Sequence, residues 1–555
     1  MSTPQEMDRW PDLSDEQWSR LRTYGTEENI TDIGDILFDP GETGGPMLLV
    51  ESGEIEILRP AWTGHGEVVV ARYQERQFSG ELNLLTGQST FLSARVSQPG
   101  VVLRVGPESF RRLMDEDAEL SDIVLRALLA RREGLRTNAG ASSMVIVGHD
   151  RSAAAMSLRT YAARQRQPHT WVAVDTPAGQ ALTQAADVAA DEFPLVITTS
   201  GVLRRATPSV LADHLGMSYR PAAGKTLDLV VVGGGPAGLA AAVYGASEGL
   251  QTLVLDSLAA GGQAAASSRI ENYLGFTSGI SGADLTGRAM VQAEKFGARI
   301  ASPCEVARLD ASADLLQLLL RDGTEIRSKA AVIATGASYR SLVLPRWDDF
   351  LGAGIYYAAT ELEARACGQR PVAVVGGANS AGQAALFLAG RGCQVNLIVR
   401  GPDILVSMSS YLADRVLSHP AVRVHTSTEV TGLHGDEALQ GLTIRSGLRD
   451  DRRQKELRCS GLFCFIGATP ATHWLDGVAL DDHGFILTDV GVDDALLDSC
   501  WTTLGRRPLP FETTLPRVFA AGDVRAGSMK RVAAAVGEGA GAIGSVHRAL
   551  TSQAS

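Results

Sequence analysis

The sequence is short of cysteine, short of positive charge and without a membrane-spanning run. Six cysteines in 555 residues are too few for a disulfide scaffold and fit a reducing compartment. The ten histidines do not cluster with cysteines or acids at ligand spacing, so no metal site is expected. Lys and Arg number 51 against 63 Asp and Glu, a net charge of −12. That balance excludes a nucleic-acid footprint and a basic membrane-surface patch. The N-terminus lacks a basic segment followed by an apolar core, so no signal peptide is expected. Two charge-free stretches, Leu229 to Ser247 and Pro371 to Gly390, have the length of a membrane span. Each opens with a Val-rich run, continues through a glycine cluster and ends in an Ala-rich segment, which reads as strand, turn and helix. The expectation is a soluble, cytoplasmic chain. With 45% hydrophobic and 21% charged residues it is globular, and its length predicts roughly three or four domains. Glycine, at 59 residues, is in excess.

Three blocks differ in pattern. Residues 1–137 alternate short β-like runs (MLLVESGEIEILRP, EVVVARY, SARVSQPGVVLRV) with turn clusters such as DPGETGGP, which predicts a small β-barrel or jelly roll. The block closes on one helical run, PESFRRLMDEDAELSDIVLRALLARREGL, and RTNAGASS then reads as a linker. Residues 144–218 read strand (MVIVG), helix (AAAMSLRTYAARQ), strand (TWVAVD), helix, strand (FPLVITT), then a turn, a short strand and a helix. The third block, from about residue 225 to the end, repeats one grammar. LDLVVVGGGPAGLAAAVYGASEGLQTLVLD and PVAVVGGANSAGQAALFLAGRGCQVNLIVR are both strand, glycine turn, small-residue helix and strand. Two such units imply two dinucleotide sites.

The first unit carries Gly233-x-Gly235-x-x-Gly238, with Pro236 and Ala237 opening the helix. Its glycines serve the tight turn, close approach to a pyrophosphate, and helix–strand packing. Asp256 ends the next strand, where an acid accepts hydrogen bonds from ribose hydroxyls. The second unit is looser: Gly376-x-Ala378-x-x-Ala381, with Asn379 and Ser380 between. Arg400 ends its following strand, where a positive charge suits a 2′-phosphate and favours NADP over NAD.

On these residues the third block resembles the low-molecular-weight thioredoxin reductases, class II pyridine nucleotide-disulfide oxidoreductases. The likeness spans GGGPAG, Gly261-Gly262-Gln263, RIENYLGF with Asn272, ATGAS at 334–338, GGANSA, FIGATP near Phe465 and VFAAGDVRAGSMKRVAAAVGEGA at 518–540. The resemblance implies FAD on 225–340 together with 469–555, and NAD(P)H on 341–468. It puts Gly522 and Asp523 beside the ribityl or phosphate part of the flavin, with Arg531, Val532 and Ala533 near the ring. The family has Gln where this chain has Arg531. A larger departure is the segment Gly354-Ile-Tyr-Tyr-Ala-Ala-Thr-Glu361: the family's two redox cysteines fall on Ala358 and Glu361, and neither can take part in thiol–disulfide exchange. Cys367 has no partner at that spacing, and Cys459 and Cys464 read as buried structural cysteines. The family's pair of phosphate-binding arginines is reduced to Arg400.

The second block resembles a thioredoxin- or glutaredoxin-like fold, with Pro194 where that fold keeps its cis-proline. His149 and Asp150 stand where a redox cysteine pair would begin, and read as loop residues. The first block resembles the cyclic-nucleotide-binding domain of catabolite-activator-type proteins. GDILFDPGE and VESGEIEIL match its strands, and Phe78-Ser-Gly80-Glu81-Leu82 matches its phosphate-binding cassette. By resemblance Gly80, Glu81 and Leu82 are effector candidates, but Thr90 stands where the family keeps its phosphate-binding arginine and Arg95 aligns elsewhere. A cyclic phosphate then loses its strongest charge-assisted contact.

The expected fold class is α/β: two Rossmann-type FAD- and NAD(P)-binding domains, preceded by a β-barrel cyclic-nucleotide-binding-like domain and a small thioredoxin-like α/β domain. The expected function is a homodimeric flavoprotein moving a hydride from NAD(P)H to FAD and electrons to an external acceptor such as a redox protein, with a cyclic nucleotide or other small effector at the N-terminal domain. A flavin-containing sensor or scaffold with little turnover, and a thioredoxin-disulfide reductase by family membership, stay open.

Overall fold

The computed structural model describes residues 8–551 apart from 43, 62–65, 138–143, 222–223, 268, 271, 313 and 448–452. Of the expected linker over 136–143, Arg136 and Thr137 continue the preceding helix, and 138–143 lie outside the described residues.

The first unit contains α1 (Asp15–Arg22), β1 (Thr26–Ile30), β2 (Ile36–Phe38), β3 (Met47–Arg59), β4 (Val68–Gln74), α2 (Asn83–Thr86), β5 (Ser93–Val105), α3 (Pro107–Glu116) and α4 (Ala118–Thr137). The antiparallel order is β1-β5-β3-β4, with β2 also on β5. This corrects the expected barrel: among the described residues the ladder stays open, with β4 paired to β3 alone. Helices, and not a closing ladder, cover its inner face. Trp18 and Leu21 of α1, Phe110 and Leu113 of α3, and Val124 and Leu128 of α4 pack on Met47, Leu49 and Leu103. The single helical run expected over 107–135 is two helices. Asp117 is extended, at φ −125° and ψ 93°, and its carboxylate accepts from the Leu120 amide at 3.0 Å, which caps a new helix.

The second unit runs β6 (Met144–Gly148), α5 (Ala153–Arg164), β7 (Thr170–Ala173), α6 (Pro177–Ala185), β8 (Leu195–Thr198), β9 (Gly201–Leu203) and α7 (Pro208–His214). Its sheet order is β7-β6-β8-β9, with β6 parallel to β7 and β8 antiparallel to both neighbours. The Phe193–Pro194 peptide is cis. This unit is tied to the rest of the chain on several sides. The Tyr161 hydroxyl donates to Ser302 O at 2.9 Å. Met156 of α5 enters the core around Tyr356, Ala359 and Cys367. The Gln167 amide donates to Gln88 of the first unit at 2.9 Å.

The remainder begins with β10 (Thr226–Val232), α8 (Pro236–Ser247), β11 (Thr252–Leu255), α9 (Gly282–Lys295), β12 (Arg299–Ala301), β13 (Val306–Asp310), β14 (Leu316–Leu320) and β15 (Glu325–Ile333). It crosses at β16 (Ala337–Tyr339) to β17 (Ile355–Tyr356), α10 (Glu361–Cys367), β18 (Val372–Val375), α11 (Asn379–Gly390), β19 (Val395–Ile398), α12 (Ser410–Ser418), β20 (Val422–His425), β21 (Thr428–Gly435), β22 (Leu439–Ser446), β23 (Arg453–Arg458) and β24 (Leu462–Cys464). It returns through β25 (Ala468–Pro470) to α13 (Ser499–Leu504), β26 (Val518–Ala520) and α14 (Val532–Thr551). One sheet has order β12-β11-β10-β15-β14-β13, with β26 parallel on β15; the other is β17-β24-β18-β19-β20, all parallel. β21, β22 and β23 form a separate antiparallel sheet. The two crossings pair as β16 with β25, and Tyr339 stacks on Tyr357 beside them at 5.5 Å between ring centres. The charge-free stretches are β10 with α8 and β18 with α11. Among the described residues no helix is long and apolar enough to cross a membrane.

Candidate functional site

Two cradles lie at the carboxyl ends of parallel strands, where open α/β sheets bind ligands. In the first, β10 ends at Val232, the turn opens at Gly233, and Gly235 is the N-cap of α8, whose first turn leaves backbone amides without helical acceptors. Side chains are excluded here by contact. A Cβ on Gly238 would lie 1.8 Å from Gly233 O, and one on Gly262 would lie 2.8 Å from Gly235 Cα. The Gly261–Gln263 loop therefore rests on the turn, held by the Gly261 amide on Gly234 O at 2.7 Å and by the Gln263 side chain on Ala337 O. Asp256 follows β11, and its two oxygens accept from the amides of Gly234 at 2.8 Å and Leu258 at 3.0 Å. Burial raises its pKa against those hydrogen bonds. The carboxylate expected at a ribose thus also ties the glycine turn to its own strand end.

Residues far along the chain complete the cradle. A Cβ on Gly539 of α14 would lie 2.0 Å from Ala237 O, so α14 and the segment holding Gly522 meet the start of α8. Gly522 donates to Glu538 at 2.8 Å. Burial pushes the Asp523 carboxyl up and Lys530 opposes it; Lys530 also donates to Asp523 O at 2.6 Å. Arg531 is exposed just before α14, Val532 opens that helix, and Asn272 is exposed. The glycine-only packing and free α8 amides fit a dinucleotide pyrophosphate.

The second cradle repeats the plan on β18 and α11. Ala378 is the N-cap, and Ala378, Asn379 and Ser380 are exposed at the helix start while Ala381 is buried. The Asn379 side chain accepts from the Ser409 amide at 2.8 Å. Arg400 is exposed two residues after β19. This open helix start with a nearby cation fits a phosphorylated nucleotide.

Between the cradles, Ala358 lies in the loop before α10 and Glu361 is the first residue of that helix, paired with Arg391. Cys367, Cys393, Cys459 and Cys464 are buried. Burial pushes the Cys367 and Cys459 thiols up to about 12, and those of Cys304 and Cys464 up to about 11. A thiol so shifted is protonated near neutrality and is not a nucleophile. Cys500 is exposed on α13.

The first unit holds a pocket lined by Phe38, Tyr73, Phe91, Leu135, Arg9 and Arg131, with Gly80 and Glu81 also in its lining. Leu82 faces the apolar core. Thr90 also lines the pocket, but its hydroxyl donates to Asp39 O at 2.6 Å. Arg95 is paired with Glu56 and Glu67, both at 2.9 Å. Two arginines of α4 take the places that sequence reasoning left open. Arg131 is buried over Phe78 at 4.7 Å and Tyr73 at 5.2 Å, donates to Arg9 O at 3.2 Å, and is lowered by burial. Arg132 holds both oxygens of Glu81. Adjacent arginines inside an apolar helical run, LLARREGL, were the available signal. Loop residue Asp150 accepts from Trp171 at 2.9 Å, and His149 packs on Phe193. Among the described residues no cluster of metal-ligating side chains occurs.

Residues 227–539 match the family described as pyridine nucleotide-disulphide oxidoreductase, and residues 32–117 match the cyclic nucleotide-binding domain. A thioredoxin reductase of Streptomyces clavuligerus is 32% identical over 329 residues, covering 59% of this chain and 95% of that protein. The 34.2 kDa protein in the rubredoxin operon of Clostridium pasteurianum is 32% identical over 317 residues, covering 57% of this chain and 94% of that protein. The crystal structure of T. acidophilum thioredoxin reductase superposes with a TM-score of 0.51 at 27% identity, covering 58% of this chain and 98% of that one. With both cradles in place and more than half its length matched, the chain belongs to the pyridine nucleotide-disulphide oxidoreductase family, as a thioredoxin reductase-like flavoprotein oxidoreductase that also carries a cyclic nucleotide-binding domain.

Proposed function

We propose that this chain accepts a hydride from NAD(P)H and delivers electrons to an acceptor outside itself, with no resident dithiol. The observation that carries this reading is the pairing of two dinucleotide cradles with Ala358 before and Glu361 at the start of α10, while Cys367, Cys393, Cys459 and Cys464 are buried. FAD, when bound, supplies hydride acceptance and two-electron storage. The chain's part is to hold and orient. In this reading 225–340 with 469–555 binds FAD and 341–468 binds NAD(P)H. Gly233, Gly235, Pro236, Ala237 and Gly238 offer the α8 amides to the pyrophosphate, and Gly262 and Gln263 position the loop above it. Gly376, Ala378, Asn379, Ser380 and Ala381 do the same on α11, and Arg400 meets a 2′-phosphate, which makes NADP the preferred nucleotide over NAD.

The acceptor class we favour is a small redox protein; the relative from a rubredoxin operon supports that choice. A homodimer in the cytoplasm completes the reading. The pocket of the first unit takes a cyclic nucleotide or another small anionic effector, with Arg131 supplying the positive charge that Thr90 lacks. The second unit is thioredoxin-like and serves docking, not exchange.

Anaerobic stopped-flow tests the core of this. NADPH, and more weakly NADH, bleaches the flavin band; failure of both sinks the proposal. A sensor with little turnover is the second reading, favoured by Glu81 being engaged with Arg132; steady NADPH consumption with an acceptor panel decides against it. Thioredoxin-coupled disulfide reduction by the purified chain would restore the third reading, a thioredoxin-disulfide reductase.

A further inference from the structure

We propose that the pocket of the first unit is built for a carboxylate on an apolar body, whose charge pairs with Arg131 and whose body lies among Phe38, Phe91 and Leu135. This rests on the reading of the pocket as an effector site and narrows its ligand away from a cyclic nucleotide.

The charge balance of the lining calls for an anion. Arg131 lines the pocket and is 5% exposed. Its Nε donates to Arg9 O at 3.2 Å and its Nη1 to Gly80 O at 3.5 Å. Trp10, Tyr73 and Phe78 surround the guanidinium, the nearest ring centre at 4.7 Å. Rings and carbonyls solvate a cation without neutralising it. Among the described residues no carboxylate pairs with Arg131, whereas Arg95, Arg104 and Arg132 of the same unit each hold one. A second guanidinium, Arg9, lines the same pocket, and among the described residues its buried Nε has no hydrogen-bond partner. Burial lowers the pKa of Arg131, and the like charge of Arg9 lowers it further. Glu81 is the acid of the lining, and Arg132 holds both its oxygens. Two guanidiniums thus face one cavity whose acid is already committed.

The walls fit an apolar body. Ile57, Val70 and Leu92 join Phe38, Phe91 and Leu135 in the lining. Polar side chains are few. Thr90 spends its hydroxyl on Asp39 O at 2.6 Å, which leaves Tyr73 and Asn83 beside the two arginines. A ribose and a base would bury more donors and acceptors here than those side chains can satisfy. An aliphatic or aryl body asks for no such partners. A planar carboxylate also matches the edge of the Arg131 guanidinium that the two carbonyls leave open.

The test uses the full-length FAD-loaded protein as wild type and as Arg131→Met, which keeps much of the bulk and removes the charge. Octanoate, decanoate and phenylacetate are titrated by calorimetry, with decanol, cAMP and cGMP alongside. At least one carboxylate is expected to bind wild type, with decanoate at least about tenfold tighter than decanol. Arg131→Met is expected to weaken the carboxylates about tenfold or more. An affinity unchanged in Arg131→Met overturns the proposal. So does decanol binding as tightly as decanoate, a comparison made on wild type alone that decides the matter even where Arg131→Met fails to fold. Tighter binding by cAMP or cGMP than by every carboxylate overturns the assignment and leaves the effector reading standing; no binding by any of them removes both. Carboxylate binding that leaves the anaerobic rate of flavin reduction by NADPH unchanged upholds the ligand and ends the effector reading.

Discussion

Counting thiols before and after reduction tests the absence of a resident dithiol most directly. At pH 8 an ordinary thiol of pKa about 8.5 is about one-quarter thiolate. With thiols at about 12, Cys367 and Cys459 are ionised to about one part in ten thousand. Cys304 and Cys464, at about 11, are ionised to about one part in a thousand. Higher basicity makes each thiolate more nucleophilic, with a Brønsted slope of about 0.45, which returns part of the difference. The net slowing is roughly 60-fold for the first pair and roughly 20-fold for the second, before burial restricts access further. Ellman's reagent on native protein should therefore titrate one fast thiol per chain, that of exposed Cys500, and all six only after denaturation. Cys500→Ser should abolish the fast phase and leave NADPH oxidation unchanged. Anaerobic NADPH should not alter the count. Two additional fast thiols after NADPH would reveal a redox disulfide and refute the reasoning.

Other expectations follow from single contacts. Gly238→Val puts a Cβ 1.8 Å from Gly233 O, so the purified protein should lose its flavin absorbance while keeping its far-ultraviolet circular dichroism. Arg400→Ala removes the cation at the end of β19 and should raise KM for NADPH about tenfold, about 1.4 kcal/mol, with KM for NADH unchanged. Glu512 is fully buried, holds Arg506 and accepts from the Leu509 and Arg517 amides at 2.8 Å. Glu512→Gln should cost roughly 2–4 kcal/mol in urea unfolding, less than a fully buried pair because Arg506 keeps some exposure.

Much of this molecule was legible because its signals are local. A Val-rich run, a glycine cluster and an Ala-rich segment describe one strand–turn–helix wherever they occur, so both cradles could be located from residues close in sequence. Ladder closure is not local. The alternation in β3 and β5 states which face is buried, but not whether β4 meets another edge or the helices cover the face first, so the expected barrel was an open sheet. The break at Asp117 had a visible cause, an Asp followed by AEL, yet the apolar spacing runs through it and masked the cap. Arg131 and Arg132 lie far along the chain from Gly80 and Glu81. Only the folding of α4 across the sheet joins them, and a motif search centred on the cassette looks for its arginine at Thr90.

The second unit acts on both cradles at once, and its attachments differ in how readily they part. Toward the first cradle, Tyr161 donates to Ser302 O at 2.9 Å and Gln165 to the Ser302 hydroxyl at 2.6 Å. All three residues are buried, so separation would orphan groups at about 1–3 kcal/mol each. Toward the second cradle, Arg151 donates to Leu439 O and to Ser460 O, the latter at 3.2 Å. Arg151 keeps part of its surface open, and its guanidinium regains water on release. A rotation of the two cradles about the β16–β25 crossings must break one set; the polar contacts of the second part more readily, although Met156 is also buried on that side. Arg151→Ala should then change the rate of flavin reduction by NADPH, whereas Tyr161→Phe should lower stability and leave that rate unaltered. The opposite pattern would mean that the second unit travels with the nucleotide-binding sheet and parts from Ser302.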